Sequence, residues 1–297
     1  MQRRAFLSSA AAYPFTPPPD TQFIKSICNV IFPDNMPLND QFRLARNAGF
    51  EGLEIRPGLA FDMNLPIDQA RRAADAARKH NIAIASLWVS GELDKNWLNH
   101  PDPAVRSKGV DTLHHAIDVA QSINCGALLI VPGRLGNGAK FLYGYQDSWD
   151  RITAELRKAV SHAESAKVCL TPENVSNKFL VSPIEMRAFI DQFQSPWLQA
   201  HFDIGNVMQF GYPQDWILTL GNRIKRVHVK DYKLATRTER GRAVDLLEGD
   251  VDFKDVMATL KKVGYRGFLS PEIGRDANDP DQLMKVSKAL DKILSYA

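Results

Sequence analysis

Short apolar runs alternate along this chain with longer amphipathic ones. From Phe23 onward the β-type runs are Phe23–Ile31, Gly52–Ile55, Ile82–Val89, Ala127–Val131, Val168–Pro172, Leu198–Phe202, Ile224–Val229 and Gly267–Pro271. They are rich in Val, Ile, Leu and Phe, without strict alternation of apolar and polar positions. Strands buried on both faces of a parallel sheet read this way. Between them lie stretches with helical spacing: Asn39–Ala48, Pro66–Lys79, Pro103–Ser122, Ser148–Ser165, Pro183–Phe193, Pro213–Leu220, Phe253–Val263 and Pro280–Ser295. In the third of these, Val105, Val110, Leu113, Ile117 and Ala120 fall near one face. Several begin after Asp, Ser or Pro, the residues that commonly open a helix.

Eight βα units in 297 residues predict an α/β fold of the (β/α)8 TIM-barrel type. An open doubly wound sheet would carry a glycine-rich loop after its first strand. Here that strand runs into Asn29-Val-Ile-Phe-Pro-Asp34, with no such loop. No linker, repeat or low-complexity run interrupts the pattern, so one barrel domain is expected over residues 21–297. Residues 1–20 read differently. Arg3-Arg4, Phe6-Leu7 and Ala10-Ala11-Ala12 resemble the start of a twin-arginine export signal, followed by a Pro-rich stretch. Export to the periplasm is the expectation, and a cytoplasmic protein with a disordered N-terminus the alternative. No later run reaches the ~18 apolar residues that a membrane-spanning helix needs.

Composition narrows the partners. The formal net charge is +3, and the basic pairs Arg71-Arg72 and Lys261-Lys262 fit solvated helix faces. Nucleic-acid binders concentrate Lys and Arg on one surface, so no nucleic-acid partner is expected. Cys28, Cys125 and Cys169 show no paired spacing and read as small buried core residues, not a disulfide framework.

In a TIM barrel the chemistry sits at the C-terminal ends of the strands. Strand two ends Glu54-Ile-Arg56, strand three ends Ser86-Leu-Trp88, and strands five to eight end at Glu173, Asp203, His228 and Glu272. Adjacent strands lie about 4.8 Å apart, so side chains at one level of neighbouring strands can converge on one ion. Three carboxylates and an imidazole suit one divalent metal ion, Mn²⁺, Mg²⁺ or Co²⁺ before Zn²⁺. Each residue alone has an ordinary reading, as a helix cap, an ion pair or a core histidine; all four at one rim favour a shared metal site. The stretch Gly133-Arg-Leu-Gly-Asn-Gly138 is a weak candidate for a phosphate held by backbone N–H groups.

The segments Pro172-Glu-Asn174, His201-Phe-Asp-Ile-Gly-Asn206, Arg226-Val-His-Val-Lys-Asp231, Glu248-Gly-Asp-Val-Asp252 and Pro271-Glu272 resemble the sugar phosphate isomerase/epimerase family of xylose isomerase-like barrels. The likeness runs from about Phe23 to the C-terminus. It implies Glu173, Asp203, His228 and Glu272 as metal ligands, with Glu173 and Glu272 also the acid/base pair. As in ketose 3-epimerases, the two glutamates would remove and return the proton beside a carbonyl, through a cis-enediolate. Glu54, Trp88, Asn206 and Arg242 are candidate substrate contacts. At the position of Asn206, ketose epimerases often carry a histidine. Lys230-Asp231 would orient His228 or form a salt bridge. The resemblance also implies a small sugar as substrate and a homo-oligomeric assembly. The leading alternative is a lyase or dehydratase acting on a keto-sugar, 3-keto-glycoside or inosose at the same metal site. A non-catalytic sugar-binding module, and a repair nuclease of the endonuclease IV type, follow. The nuclease would need more rim histidines than this chain offers.

Overall fold

The computed structural model describes residues 22–297, apart from 59, 60, 63, 65, 90–92, 96 and 138. The twin-arginine segment therefore lies outside the described residues. The barrel strands are β1 Phe23–Cys28, β2 Gly52–Ile55, β3 Ala83–Trp88, β4 Ala127–Ile130, β5 Cys169–Pro172, β6 Ala200–Asp203, β7 Ile224–Val229 and β8 Gly267–Pro271. They lie parallel in the order β5-β4-β3-β2-β1-β8-β7-β6. The ring closes between β5 and β6 through the isolated bridges Leu170–Leu198 and Glu173–His201. The helices that follow each strand are α1 Leu38–Asn47, α2 Ile67–Lys79, α3 Pro103–Ser122, α4 Tyr145–Ala166, α5 Pro183–Asp191, α6 Pro213–Leu220, α7 Phe253–Lys262 and α8 Gln282–Leu294. The expected TIM barrel is the observed fold.

Boundaries differ where side chains compete with the backbone. The first strand stops at Cys28, and Asn29–Ile31 form a 3-10 turn. Buried Asn29 accounts for this: its Oδ1 accepts from Arg56 N at 2.8 Å, and its Nδ2 donates to Gln41 Oε1 at 3.2 Å. A side-chain amide thus replaces the next rung of the ladder. Helix α4 starts earlier than expected, at Tyr145 after Gly144. Helix α5 opens with a full capping box, Ser182 Oγ accepting from Glu185 N while Glu185 accepts from Ser182 N.

The main apolar layer lies between strands and helices, with Phe42, Leu53, Leu87, Phe189, Phe202 and Trp216 at its most buried positions. This explains the missing alternation, since outward strand positions are as buried as inward ones. Inside the barrel the character changes with height. The floor is a small separate cluster of Ile24, Ala83, Ala85 and Phe268. A side chain at Gly52 would collide with the Phe268 ring, so that position answers packing. Arg226 crosses above the floor, stacked 5.0 Å from the Phe268 ring and donating to Ala85 O at 2.7 Å. Above it lie Ser26, Ser86, Thr171 and His201, all buried and polar, and above those the acidic rim. The three cysteines are buried free thiols. Among the described residues, no helix is long and apolar enough to cross a membrane.

Candidate active site

Because strand side chains alternate, each rim residue stands two positions beyond an inward-facing one: Glu173 after Thr171, Asp203 after His201, Glu272 after Ser270. The register sets His228 level with Asp203 on β6 and with Ser270 on β8. Ligand atoms of Glu173, Asp203, His228 and Glu272 consequently lie within 4.8 Å of one another. His228 Nδ1 stands 3.1 Å from Glu173 Oε1, 3.1 Å from Glu272 Oε2 and 3.6 Å from Asp203 Oδ2. Asp203 divides its work. Oδ1 caps the one-turn helix Ile204–Val207 by accepting from Asn206 N at 2.8 Å. Oδ2 is buried and receives no well-aligned hydrogen bond, although Lys230 Nζ lies 2.8 Å away. Three carboxylates and an imidazole nitrogen that converge on one buried point, with only Lys230 opposite to balance them, fit a divalent cation.

The electrostatics show how crowded the negative charge is. Burial pushes the Glu173 carboxyl up to about 7, against His228, which favours its ionised form. Asp203 is held well below the usual carboxylate range: burial opposes its charge, and Lys230 and His228 outweigh that opposition. Burial likewise opposes a charge on His228, but Glu54 and Glu272 pull its pKa well above the ordinary value. Lys230 answers two of the acids, at 2.8 Å from Asp203 and 2.5 Å from Glu272. Of the two expectations for Lys230-Asp231, Lys230 thus meets the salt bridge.

Glu54 is not where a substrate contact would be. Its side chain is fully buried beneath His228, with Oε1 2.5 Å from His228 Nε2. The same oxygen accepts from Trp88 Nε1 at 2.5 Å and Cys28 Sγ at 2.9 Å, and Oε2 accepts from Ser86 Oγ. Glu54 thus accepts a hydrogen bond from the Nε2–H of His228 and leaves Nδ1 facing the other carboxylates. Such carboxylate–histidine pairs fix ring orientation and tautomer at metal sites. The cause of its depth is the register: β2 pairs Glu54 with Cys28 on one side and, after an irregularity at Leu53, with Ser86 on the other.

The other candidates lie at the surface of the site. Trp88 and Asn206 line a pocket of about 230 Å³, with Glu173, Glu272, Lys230 and Ser176. Asn206 Nδ2 donates to Asn174 O at 3.0 Å and lies 3.5 Å from Glu173 Oε1. Arg242 is exposed and lines a neighbouring cavity, not this pocket. In the glycine loop, a side chain at Gly133 would collide with Ile152 and Asn99, so this glycine answers packing, and Gly138 lies outside the described residues.

Two residues of the quoted motifs take structural roles that the sequence does not indicate. Asn174 clasps the neighbouring strand end, its Nδ2 donating to Asp203 O at 2.9 Å and its Oδ1 accepting from Asp203 N at 2.8 Å. Asp231 accepts from the backbone N–H groups of Tyr232, Gly249 and Val251 at 2.8, 2.9 and 3.3 Å. A side chain at Gly249 would overlap the Asp231 carboxylate. So the two motifs His-Val-Lys-Asp and Glu-Gly-Asp-Val-Asp are one device, in which the first ends in the carboxylate that pins the second.

A barrel with this rim defines a class, and the family comparison agrees: residues 42–293 match the xylose isomerase-like TIM barrel family, and the chain belongs to it. Among individual proteins, it is 28% identical over 272 residues to a putative L-ribulose-5-phosphate 3-epimerase, SgbU, of Haemophilus influenzae, covering 86% of this chain and 90% of that protein. It is 26% identical over 258 residues to the L-ribulose-5-phosphate 3-epimerase UlaE of Escherichia coli K12, covering 85% of this chain and 87% of that one. Among solved structures, a D-tagatose 3-epimerase-like protein superposes with a TM-score of 0.76 at 18% identity, covering 92% of this chain and 97% of that one. An L-ribulose 3-epimerase superposes at 0.73 with 22% identity, covering 92% and 94%. At these identities the structural likeness bears on the fold alone.

Proposed function

We propose that this protein is a divalent-metal-dependent sugar epimerase that moves a proton on the carbon next to a carbonyl. The observation that carries the reading is the pairing of Glu173 and Glu272 on one pocket of about 230 Å³, with Asp203 and His228 converging behind them. The epimerase names of the relatives support it. Glu173, Asp203, His228 and Glu272 would hold the ion, and the donor set suits Mn²⁺, Mg²⁺ or Co²⁺. When bound, the ion supplies Lewis-acid stabilisation of negative charge developing on the sugar oxygens.

The chain's own residues do the rest. Glu173 stands at the pocket wall, and a cation held beside it would keep its carboxylate ionised and ready to accept a proton. It removes the proton from one face of the sugar carbon. Glu272, from strand β8, delivers a proton to the opposite face. Epimerisation needs such a pair, because one carboxylate on one face would return the proton to the side it left. Trp88 and Leu129 form an apolar wall beside the sugar, while Ser176 and Asn206 offer hydrogen bonds to its hydroxyls.

The test is hydrogen exchange in D₂O, followed by NMR, with metal-loaded protein and a panel of free ketoses, keto-glycosides and inososes. The expected result is deuterium incorporation next to the carbonyl together with the epimeric sugar, both lost on chelation and in Glu173→Gln. Loss of water or of an aglycone in place of the epimer would assign a lyase. No exchange with any sugar by protein that binds the ion would overturn proton abstraction.

A further inference from the structure

Beside the catalytic pocket lies a second and larger cavity, of about 370 Å³ against about 230 Å³. Lys230 and Glu272 line both, so the two spaces meet at this ion pair. One wall is the strand end Ile273–Gly274. The other is the antiparallel hairpin Asp231–Lys233 with Arg242–Val244, and the loop that follows it. That wall is firmly built. Asp231 pins the loop through three N–H groups, and Asp250 accepts from Lys233 Nζ at 2.6 Å and Leu234 N at 2.8 Å.

Loops after the seventh and eighth strands are where TIM barrels commonly hold a phosphate group. Here the lining argues against one. The carboxylates Asp231, Asp245, Glu248 and Glu272 outnumber the cations Lys230 and Arg242. Lys230 is already engaged by Asp203 and Glu272. With Lys230 and Glu272 paired and Asp231 held by three N–H groups, what is left is one guanidinium against the carboxylates Asp245 and Glu248, a lining without the net positive charge that a dianion needs. The same lining suits a neutral, hydroxyl-rich group: Arg242 donates, Asp245 and Glu248 accept, and Val244 and Ile273 offer apolar surface to a ring face.

We propose that this cavity is a second sugar subsite and that the substrate is a glycoside, not a sugar phosphate. The reacting ring occupies the catalytic pocket, and a second neutral ring lies against Arg242, Asp245 and Glu248. The inference rests on the catalytic pocket being the place where a sugar reacts. It separates this chain from the relatives named for a 5-phosphate substrate.

The test compares binding, by calorimetry on metal-loaded protein, of fructose, fructose 6-phosphate and four ketose disaccharides: turanose, lactulose, leucrose and isomaltulose. These carry the second ring on successive oxygens of fructose. At least one disaccharide should bind about ten-fold or more tightly than fructose, and fructose 6-phosphate no more tightly than fructose. Ala243→Trp, which fills the cavity from the hairpin, should bring the disaccharide-to-fructose ratio down to about one. The subsite is overturned if fructose 6-phosphate binds most tightly, if no disaccharide gains over fructose, or if Ala243→Trp leaves the ratio intact. The same samples in D₂O separate this outcome from the catalytic reading. Exchange on fructose without a disaccharide preference removes only the subsite. A disaccharide preference that Ala243→Trp abolishes, with no exchange on any sugar, removes only the proton-transfer role.

Discussion

The two halves of the barrel rim do different work. At the ends of strands β5 to β8 stand Glu173, Asp203, His228 and Glu272, whose polar atoms point at one another, with Glu173 and Glu272 also lining the pocket. Strands β1 to β4 present Cys28, Glu54, Trp88 and Leu129 near their ends, and of these only Trp88 and the apolar Leu129 reach the pocket wall. Yet the quieter half determines how the other is aimed. Trp88, Cys28 and Ser86 converge on Glu54, and Glu54 faces His228 across the barrel interior. One half would supply the donors, and the other orients the single imidazole among them.

That division predicts a gradient of effects. Glu173→Gln keeps the shape of the rim and removes a proton-transfer group, so epimer formation should fall about 10³-fold with the fold intact by circular dichroism. A loss below about ten-fold would place the base elsewhere. Asp203→Asn should come next, weakening divalent-ion binding by more than the roughly 10- to 100-fold associated with outer partners. Chelator competition would read this directly. Glu54→Gln should fall within that 10- to 100-fold range although Glu54 touches neither ion nor sugar. An unchanged affinity would mean that His228 is held without it, and the comparison between the halves would fail. Trp88→Phe is the mildest: the ring stays, the Nε1 donor to Glu54 goes, and stability should drop by about 1 kcal/mol with only a modest rise in KM.

Much of this is legible in the chain itself. All eight strands and the rim positions of the four converging residues follow from where apolar runs end in Glu, Asp or His. What does not follow is depth. Glu54 and Glu173 both end apolar strands, but Glu54 pairs in register with Cys28 and Ser86 and sinks beneath His228, whereas Glu173 reaches the pocket. Depth depends on the stagger between neighbouring strands, which no single segment encodes. A trace was present: Cys28 and Ser86 place polar atoms level with Glu54 on its flanking strands, with Trp88 two residues above Ser86, where a purely structural barrel layer would be aliphatic. The clasp of Asn174 and the tether of Asp231 were hidden for a related reason. Each joins its residue to backbone far along the chain, and only the closed ring brings the two together.

The closure between β5 and β6 has its own consequence. Elsewhere neighbouring strands share laddered pairs, but here the ring is joined by isolated bridges and by the Asn174 side chain reaching across to the Asp203 backbone. This thinnest seam runs between the strands that present Glu173 and Asp203. Any breathing of the barrel along it would draw these carboxylates away from each other and from the point where an ion would sit. A bound cation would then act as a rivet across the joint. The amides of Leu170, Gln199 and Asp203, which bond across this seam, should be those whose deuterium uptake slows most when a divalent ion is added, so that occupancy of the proposed ion site would be written into the local opening of the barrel wall.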